Sequence, residues 1–143
     1  MGHVIAVCTS SKRGVQKKPV AAIEVIVDHG VKDDAHAGDW HRQVSLLADE
    51  SADVMRSKGV PIGPGDFGEN IVTRDIEVKS LPVGQRLRVG GDVLLEVTQI
   101  GKVCHDRCAI YYAAGECIMP SEGIFCKVLH PGRIKPGDAI EVE

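Results

Sequence analysis

Apolar residues in this chain fall in short runs broken by turn formers, and most runs carry the two-residue period of strands. Val4 to Cys8 is an unbroken apolar run closed by Ser10, Ser11 and Gly14, which predicts a buried strand. Val20 to Val27 predicts a second, with Ile23, Val25 and Val27 on one face and Glu24 on the other. Gln43 to Leu47 reads as a strand. Asp49 is the expected N-cap of a helix running to about Ser57 and closed by Gly59. Gln85 to Val89 and Val93 to Ile100 flank Gly90-Gly91, a pair suited to a two-residue hairpin turn. In that hairpin Leu87 and Val89 pack across from Leu95 and Val97. Ile124 to Leu129 and Ala139 to Val142 complete the strands, separated by turns at His130-Pro131-Gly132 and Lys135-Pro136-Gly137-Asp138.

Other segments resist regular structure. Gly30 to His41 is loop-like, and Gly63 to Asn70 holds three glycines and a proline. Cys104 to Pro120 reads as irregular or partly helical, with a helical turn at Tyr111 to Ala114. The expectation is one domain over residues 1–143, mainly β. Strands this numerous favour a closed or partly closed β-barrel with one or two short helices.

Composition sharpens this picture. The 143 residues include 16 glycines but only one Trp, two Tyr and two Phe, so the core must be built from Val, Ile, Leu and Ala. The formal charge of -3 argues against non-specific nucleic-acid binding. No apolar run approaches the length of a membrane span, and the first residues show no signal-peptide pattern. A cytoplasmic protein with no membrane or nucleic-acid partner is expected, and its five cysteines are then reduced thiols. Walker-type, dinucleotide-type and Gly-x-Ser-x-Gly motifs are absent from the sequence.

The chemistry-bearing residues cluster. Cys104, Cys108 and Cys117 follow a Cys-x3-Cys-x8-Cys spacing, with His105, Asp106 and Arg107 between the first two. A thiolate is both a soft metal ligand and a sulfur nucleophile, and a neighbouring cation such as Arg107 favours it. The segment therefore suits a metal, a persulfide or ligation of a cofactor metal. Two plainer readings stay open. The three cysteines are small buried apolar residues, or they hold a structural zinc completed by His105, His36 or His41. Cys8 and Cys126 lie in apolar β contexts and are expected in the core. Polar residues also gather at His36 to Gln43 and at Phe67-Gly68-Glu69-Asn70. An exposed basic loop holds Lys12, Arg13, Lys17 and Lys18, which suits a phosphate or a merely solvated surface.

Four segments, in order, resemble the MOSC domain. They are His36-Ala37-Gly38 leading to Arg42-Gln43-Val44-Ser45-Leu46-Leu47; Gly65-Asp66-Phe67-Gly68-Glu69-Asn70-Ile71; Gly101 to Cys108; and Gly123 to Leu129 followed by Gly132-Arg133-Ile134-Lys135-Pro136-Gly137-Asp138. This module occurs at the C-terminus of molybdenum cofactor sulfurases and as small stand-alone bacterial proteins, the branch this chain is most similar to. The resemblance implies a fold of the pyruvate kinase β-barrel-like type and a link to sulfur transfer and the molybdenum cofactor. In amidoxime-reducing relatives the metal-ligating cysteine stands in a Cys-x-Arg-Cys setting. Here Cys104 to Cys108 reads Cys-x-x-Arg-Cys, so both Cys104 and Cys108 remain as the reactive thiol.

The expected function is that of a sulfur carrier or molybdenum-cofactor handler. A cysteine desulfurase, a pyridoxal-phosphate enzyme, would load a persulfide on Cys104 or Cys108, with Arg107 stabilising the thiolate. A molybdopterin or molybdoenzyme would be the acceptor. Cys104, Cys108 and Cys117 are the expected metal ligands. Lys12, Arg13 and Arg42 are expected at the cofactor phosphate, and His36, Glu69 and Asn70 at the pterin. The alternatives are a non-catalytic cofactor carrier and a β protein with structural zinc.

Overall fold

The structure is a computed structural model and describes residues 2–12, 15–59, 62–101 and 122–143. The main sheet runs β11-β7-β8-β9-β5-β6-β1-β2, and β11 also pairs with β1. That last pairing closes seven strands into a barrel and leaves β2 as a flap on β1. The strands are β1 (Gly2–Thr9), β2 (Lys18–Val20), β5 (Val44–Ala48), β6 (Ile71–Arg74), β7 (Arg86–Val89), β8 (Val93–Ile100), β9 (Ile124–His130) and β11 (Ala139–Val142). A second sheet of β10 (Gly132–Ile134), β3 (Ile23–Ile26) and β4 (Gly30–Val31) packs beside it.

The barrel interior is aliphatic, as the scarcity of aromatics requires. Val4, Val7, Val44, Leu46, Ile71, Leu87, Val89, Val93, Leu95, Val97, Ile124, Cys126, Val128 and Ile140 form one buried cluster with Ile23, Val25, Val31 and Ile134 from the smaller sheet. Phe67 and Phe125 are buried outside that cluster. β1 carries the seam. Gly2 lies opposite Ile140 on β11, and Val7 lies opposite both Ile71 on β6 and Val20 on β2.

Several local expectations need correction. The run from Val20 to Val27 is two strands, because β2 pairs with β1 while β3 joins the other sheet. The small residues Ala21 and Ala22 accommodate the bend between them. Val89 pairs with Val93, so the hairpin turn has three residues, Gly90, Gly91 and Asp92. Both glycines take positive φ there, at +67° and +95°. Gly132, expected in a turn, opens β10 and pairs with Val25. Strand β6 was not legible, since its four residues show no alternation and follow a glycine loop.

Helix α1 (Asp49–Ser57) crosses between β5 and β6, the parallel pair in the barrel, where Leu46 faces Ile71. Ala48, not Asp49, holds the N-cap position and offers no side-chain cap. Asp49 is the first helical residue, and its carboxylate instead binds Arg56 at 2.8 Å and Arg74. Asp49 and Glu50 still favour the positive end of the helix dipole. Among the described residues no helix is long and apolar enough to cross a membrane.

Candidate functional site

Three loops meet at the barrel end where β1 finishes and β5 and β6 begin. They are the loop between β1 and β2, the loop from β4 to β5, and the glycine loop before β6. Short backbone contacts lock them. Lys17 N–H donates to Gly65 O at 2.8 Å, and Ala35 N–H donates to Ser10 O at 2.8 Å. Gly65 stands at φ +86°, and a Cβ there would lie 2.2 Å from Lys17 O. The contact therefore requires glycine.

Asn70 is the clip of this junction. Its Oδ1 accepts from Ser45 N–H at 3.0 Å and Ser45 Oγ at 3.2 Å, and its Nδ2 donates to Cys8 O at 3.1 Å. One fully buried amide thus joins β1, β5 and β6. Its neighbour Glu69 is also buried, and burial pushes its carboxyl up to about 7. Backbone amides of Gly65, Phe67 and Glu69 itself oppose that rise, with Phe67 N–H at 3.1 Å from Oε1. Both residues are thus committed within the fold and hold the glycine loop in shape. Burial also pushes the Cys8 thiol up to about 12, aided by Glu69, so this thiol is inert in the core. Cys126 is buried likewise and its thiol is raised.

The basic loop departs from its expected exposure. Lys17 and Asp34 are fully buried at the side chain, and Nζ lies 2.8 Å from Oδ1 and 3.1 Å from Oδ2. Burial alone would raise the Asp34 carboxyl. The hydrogen bond and charge of Lys17, with the amides of Ser10 and His36, outweigh it and hold the carboxyl below its usual range. Lys17 Nζ also lies 3.0 Å from His36 Nδ1. Lys12 remains exposed, beside a cleft of about 700 Å³ walled by Thr9, Ser10, Ser11, Gln16, Lys18 and the acidic Asp33.

From His36 the network continues across the barrel end. Trp40 Nε1–H donates to His36 O at 2.8 Å. The Arg42 guanidinium lies 5.9 Å from the Trp40 ring centre and 5.3 Å from that of Phe125. Its Nε–H donates to Gln99 Oε1 at 3.1 Å, and Gln99 Nε2–H donates to Gly101 O at 2.8 Å. Gly101 N–H in turn donates to Gly123 O at 2.7 Å. Gly101 and Gly123 bracket the cysteine segment in the chain. Arg42 is therefore anchored two hydrogen bonds from the base of that segment. Neither Nη atom of Arg42 has an acceptor among the described residues.

The structure thus brings His36 and Arg42 into one network and joins it through Asp34 and Ser10 to the wall of the Lys12 cleft. Arg13, Cys104, Arg107, Cys108 and Cys117 lie outside the described residues, as do the expected helical turn at Tyr111 to Ala114 and His105. Among the described residues no cluster of His, Cys, Asp and Glu could hold a metal. Lys17 as a buried residue, Asp34 and Gln99 escaped the sequence reading. Their partners lie far away in sequence, so no local signal marks them.

A closed seven-stranded barrel with polar loops gathered at one end is the architecture to be matched. A profile of the MOSC domain matches residues 33–141, and the chain belongs to that family, which is associated with molybdenum-cofactor-related proteins. Solved structures agree on the fold. The YuaD protein of Bacillus subtilis superposes with a TM-score of 0.80 at 21% identity, covering 99% of this chain and 96% of that one. YiiM from Geobacillus stearothermophilus gives 0.76 at 19% identity, over 100% of this chain and 75% of that one. YiiM from Escherichia coli gives 0.69 at 18% identity, over 100% and 70%. No curated protein sequence matches the chain at a significant level.

Proposed function

We propose that the protein handles the molybdenum cofactor, binding its anionic pterin at the loop end of the barrel and using a cysteine of the 104–117 segment for sulfur. The carrying observation is Arg42. Its guanidinium is fixed by Gln99 and two aromatic faces beside the base of the cysteine segment, and its Nη groups have no acceptor among the described residues. A planar cation held this way suits a phosphate or another anionic group. The cleft beside Lys12 adds the Lys18 ammonium and the Ser11 hydroxyl as donors for a phosphate, with the Asp33 carboxylate also in its wall and the Ser10 hydroxyl bonded to the Lys12 backbone. These residues fit a phosphorylated, anionic cofactor. When bound, that cofactor supplies a metal coordinated by sulfur, and the chain supplies donors and a thiolate.

In the sulfur step the Cys104 or Cys108 thiolate attacks the terminal sulfur of a persulfide on a partner cysteine desulfurase. The donor's S–S bond breaks, a new S–S bond forms on this chain, and the donor leaves as a thiolate. Arg107 stands next to Cys108 in sequence and favours the attacking thiolate. The molybdopterin or a molybdoenzyme is the acceptor.

The test is intact mass under non-reducing conditions after incubation with a cysteine desulfurase and cysteine, for wild type, Cys104→Ala and Cys108→Ala. The expected result is a gain of one sulfur that reductant reverses and one variant lacks. No gain in wild type, with the same donor active on another acceptor, defeats the sulfur step. Molybdenum content after exposure to released cofactor, in wild type and Arg42→Ala, tests the binding step separately.

A further inference from the structure

We infer that the buried Lys17–Asp34 pair is a positioning device that holds His36 in the tautomer with its proton on Nε2, which makes the imidazole a hydrogen-bond donor and not a metal ligand. The argument starts from the ammonium group. Lys17 has three donors and no acceptor. Asp34 takes it at 2.8 Å and 3.1 Å, and the third direction meets His36 Nδ1 at 3.0 Å. A ring nitrogen facing an ammonium must offer its lone pair. The proton of the neutral ring is then on Nε2.

Two competing arrangements fail on the same geometry. Were Asp34 the acceptor for an Nδ1–H, the ring would sit within hydrogen-bond distance of the carboxylate; Nδ1 lies 3.9 Å from Oδ2. Were Lys17 neutral, the Asp34 carboxylate would be buried without a counter-charge, although its side chain is 0% exposed. The carboxylate itself cannot swing away. Besides Nζ it accepts the backbone N–H of Ser10 at 3.0 Å and that of His36 at 3.1 Å. Trp40 Nε1–H on His36 O fixes the other side of the residue. Lys17 and Asp34 are thus positioning residues acting through His36, whose side chain is 27% exposed.

This assignment carries a chemical consequence. With Nδ1 spent on Lys17 and Nε2 protonated, His36 has no lone pair for a metal, so it does not complete a zinc site with the cysteines. The ring is a donor through Nε2–H instead. Donation to a pterin rests on the function proposed above, whereas the tautomer does not.

Long-range 1H–15N correlation of the histidine rings reads the tautomer directly. Wild-type His36 is expected as Nε2–H. The Lys17→Met/Asp34→Asn double variant, which removes both charges and so avoids a lone buried ion, is expected to populate both tautomers. An Nδ1–H or imidazolium His36 in the wild type overturns the inference, as does an unchanged tautomer in the double variant. The donor role is read by titrating cofactor freshly released from a molybdoenzyme and following the fluorescence of Trp40, the chain's single tryptophan. His36→Gln, which restores an N–H near Nε2, should bind within about threefold of wild type, and His36→Ala about tenfold more weakly. Equal binding by His36→Ala overturns the donor role. A wild type that binds no cofactor while showing the Nε2–H tautomer counts against the proposed function and leaves the tautomer assignment standing.

Discussion

Lys17 Nζ sits 2.8 Å from Asp34 Oδ1, and neither side chain reaches solvent. The pair joins the loop after β1 to the loop after β4, so it controls the shape of the whole barrel end. Removing one partner leaves a buried charge without compensation. Lys17→Met is expected to cost roughly 3–5 kcal/mol, and the further change Asp34→Asn to recover a large part of it. Urea unfolding of wild type, the single and the double variant checks this; a single variant as stable as wild type would refute the buried pairing.

Glu69 sets a pH dependence of the opposite sign to the usual carboxylate. Its carboxyl is raised from 4.5 to about 7 by burial, so the folded state binds its proton more tightly than the unfolded chain does. The stabilisation is fully present below about 4.5 and fades as pH rises through about 7. Its ceiling is on the order of 3 kcal/mol. Urea midpoints between pH 4.5 and 7.5 should fall with pH in wild type, and Glu69→Gln should flatten that slope. An identical slope in both proteins assigns the effect elsewhere.

Asn70→Ala strips an acceptor from Ser45 N–H and a donor from Cys8 O in a site with no access to water. A loss of roughly 2–4 kcal/mol follows from the unmet groups. Amide exchange at Ser45 should accelerate at the same time, which a general softening of the barrel would not confine to that position.

Gly65→Ala places a Cβ 2.2 Å from Lys17 O at φ +86°. The loop cannot yield without breaking the Lys17 N–H to Gly65 O bond. A cost above about 2 kcal/mol is expected, whereas Gly91→Ala, at positive φ but in open space, should cost about 1 kcal/mol. Comparable losses at the two sites would mean that backbone strain alone decides both.

Arg42→Ala removes a cation stacked on Phe125 and held by Gln99. Cofactor binding should weaken about tenfold or more, while stability changes by no more than about 1 kcal/mol. Arg42→Lys should not restore binding, because an ammonium lacks the planar fork.

The parts of this fold that were legible from sequence are those where local pattern and tertiary burial agree. The hairpin of Leu87 against Leu95, the buried thiols of Cys8 and Cys126, and the irregular Gly63 to Asn70 loop are of this kind. Helix α1 ends at Ser57 as the pattern predicts but begins one residue early, at Asp49, whose carboxylate is held by Arg56 and Arg74 instead of capping the backbone. Lys17 is, by sequence, one of four charges on an exposed loop suited to a phosphate or to solvent. Nothing adjacent in sequence reveals that its counter-ion is Asp34, on another loop. The same holds for Arg42 and Gln99, whose contact arises only when β5 and β8 are brought to one rim by β9. Site chemistry built from partners distant in sequence is invisible to a pattern reading, which sees neighbours along the chain.

The seam between β1 and β11 sets the order in which the molecule can mature. Gly2 must find Ile140 before the barrel closes, a contact spanning nearly the whole chain. Such long-range closure slows folding and makes it cooperative. During synthesis β1 can pair with β2 and β6 early, but its other edge, at Gly2 and His3, stays open until β11 emerges. The rim that holds Lys17, Asp34 and Asn70 draws its partners from residues 8–70, so it can take shape ahead of that closure, which then seals the barrel around it.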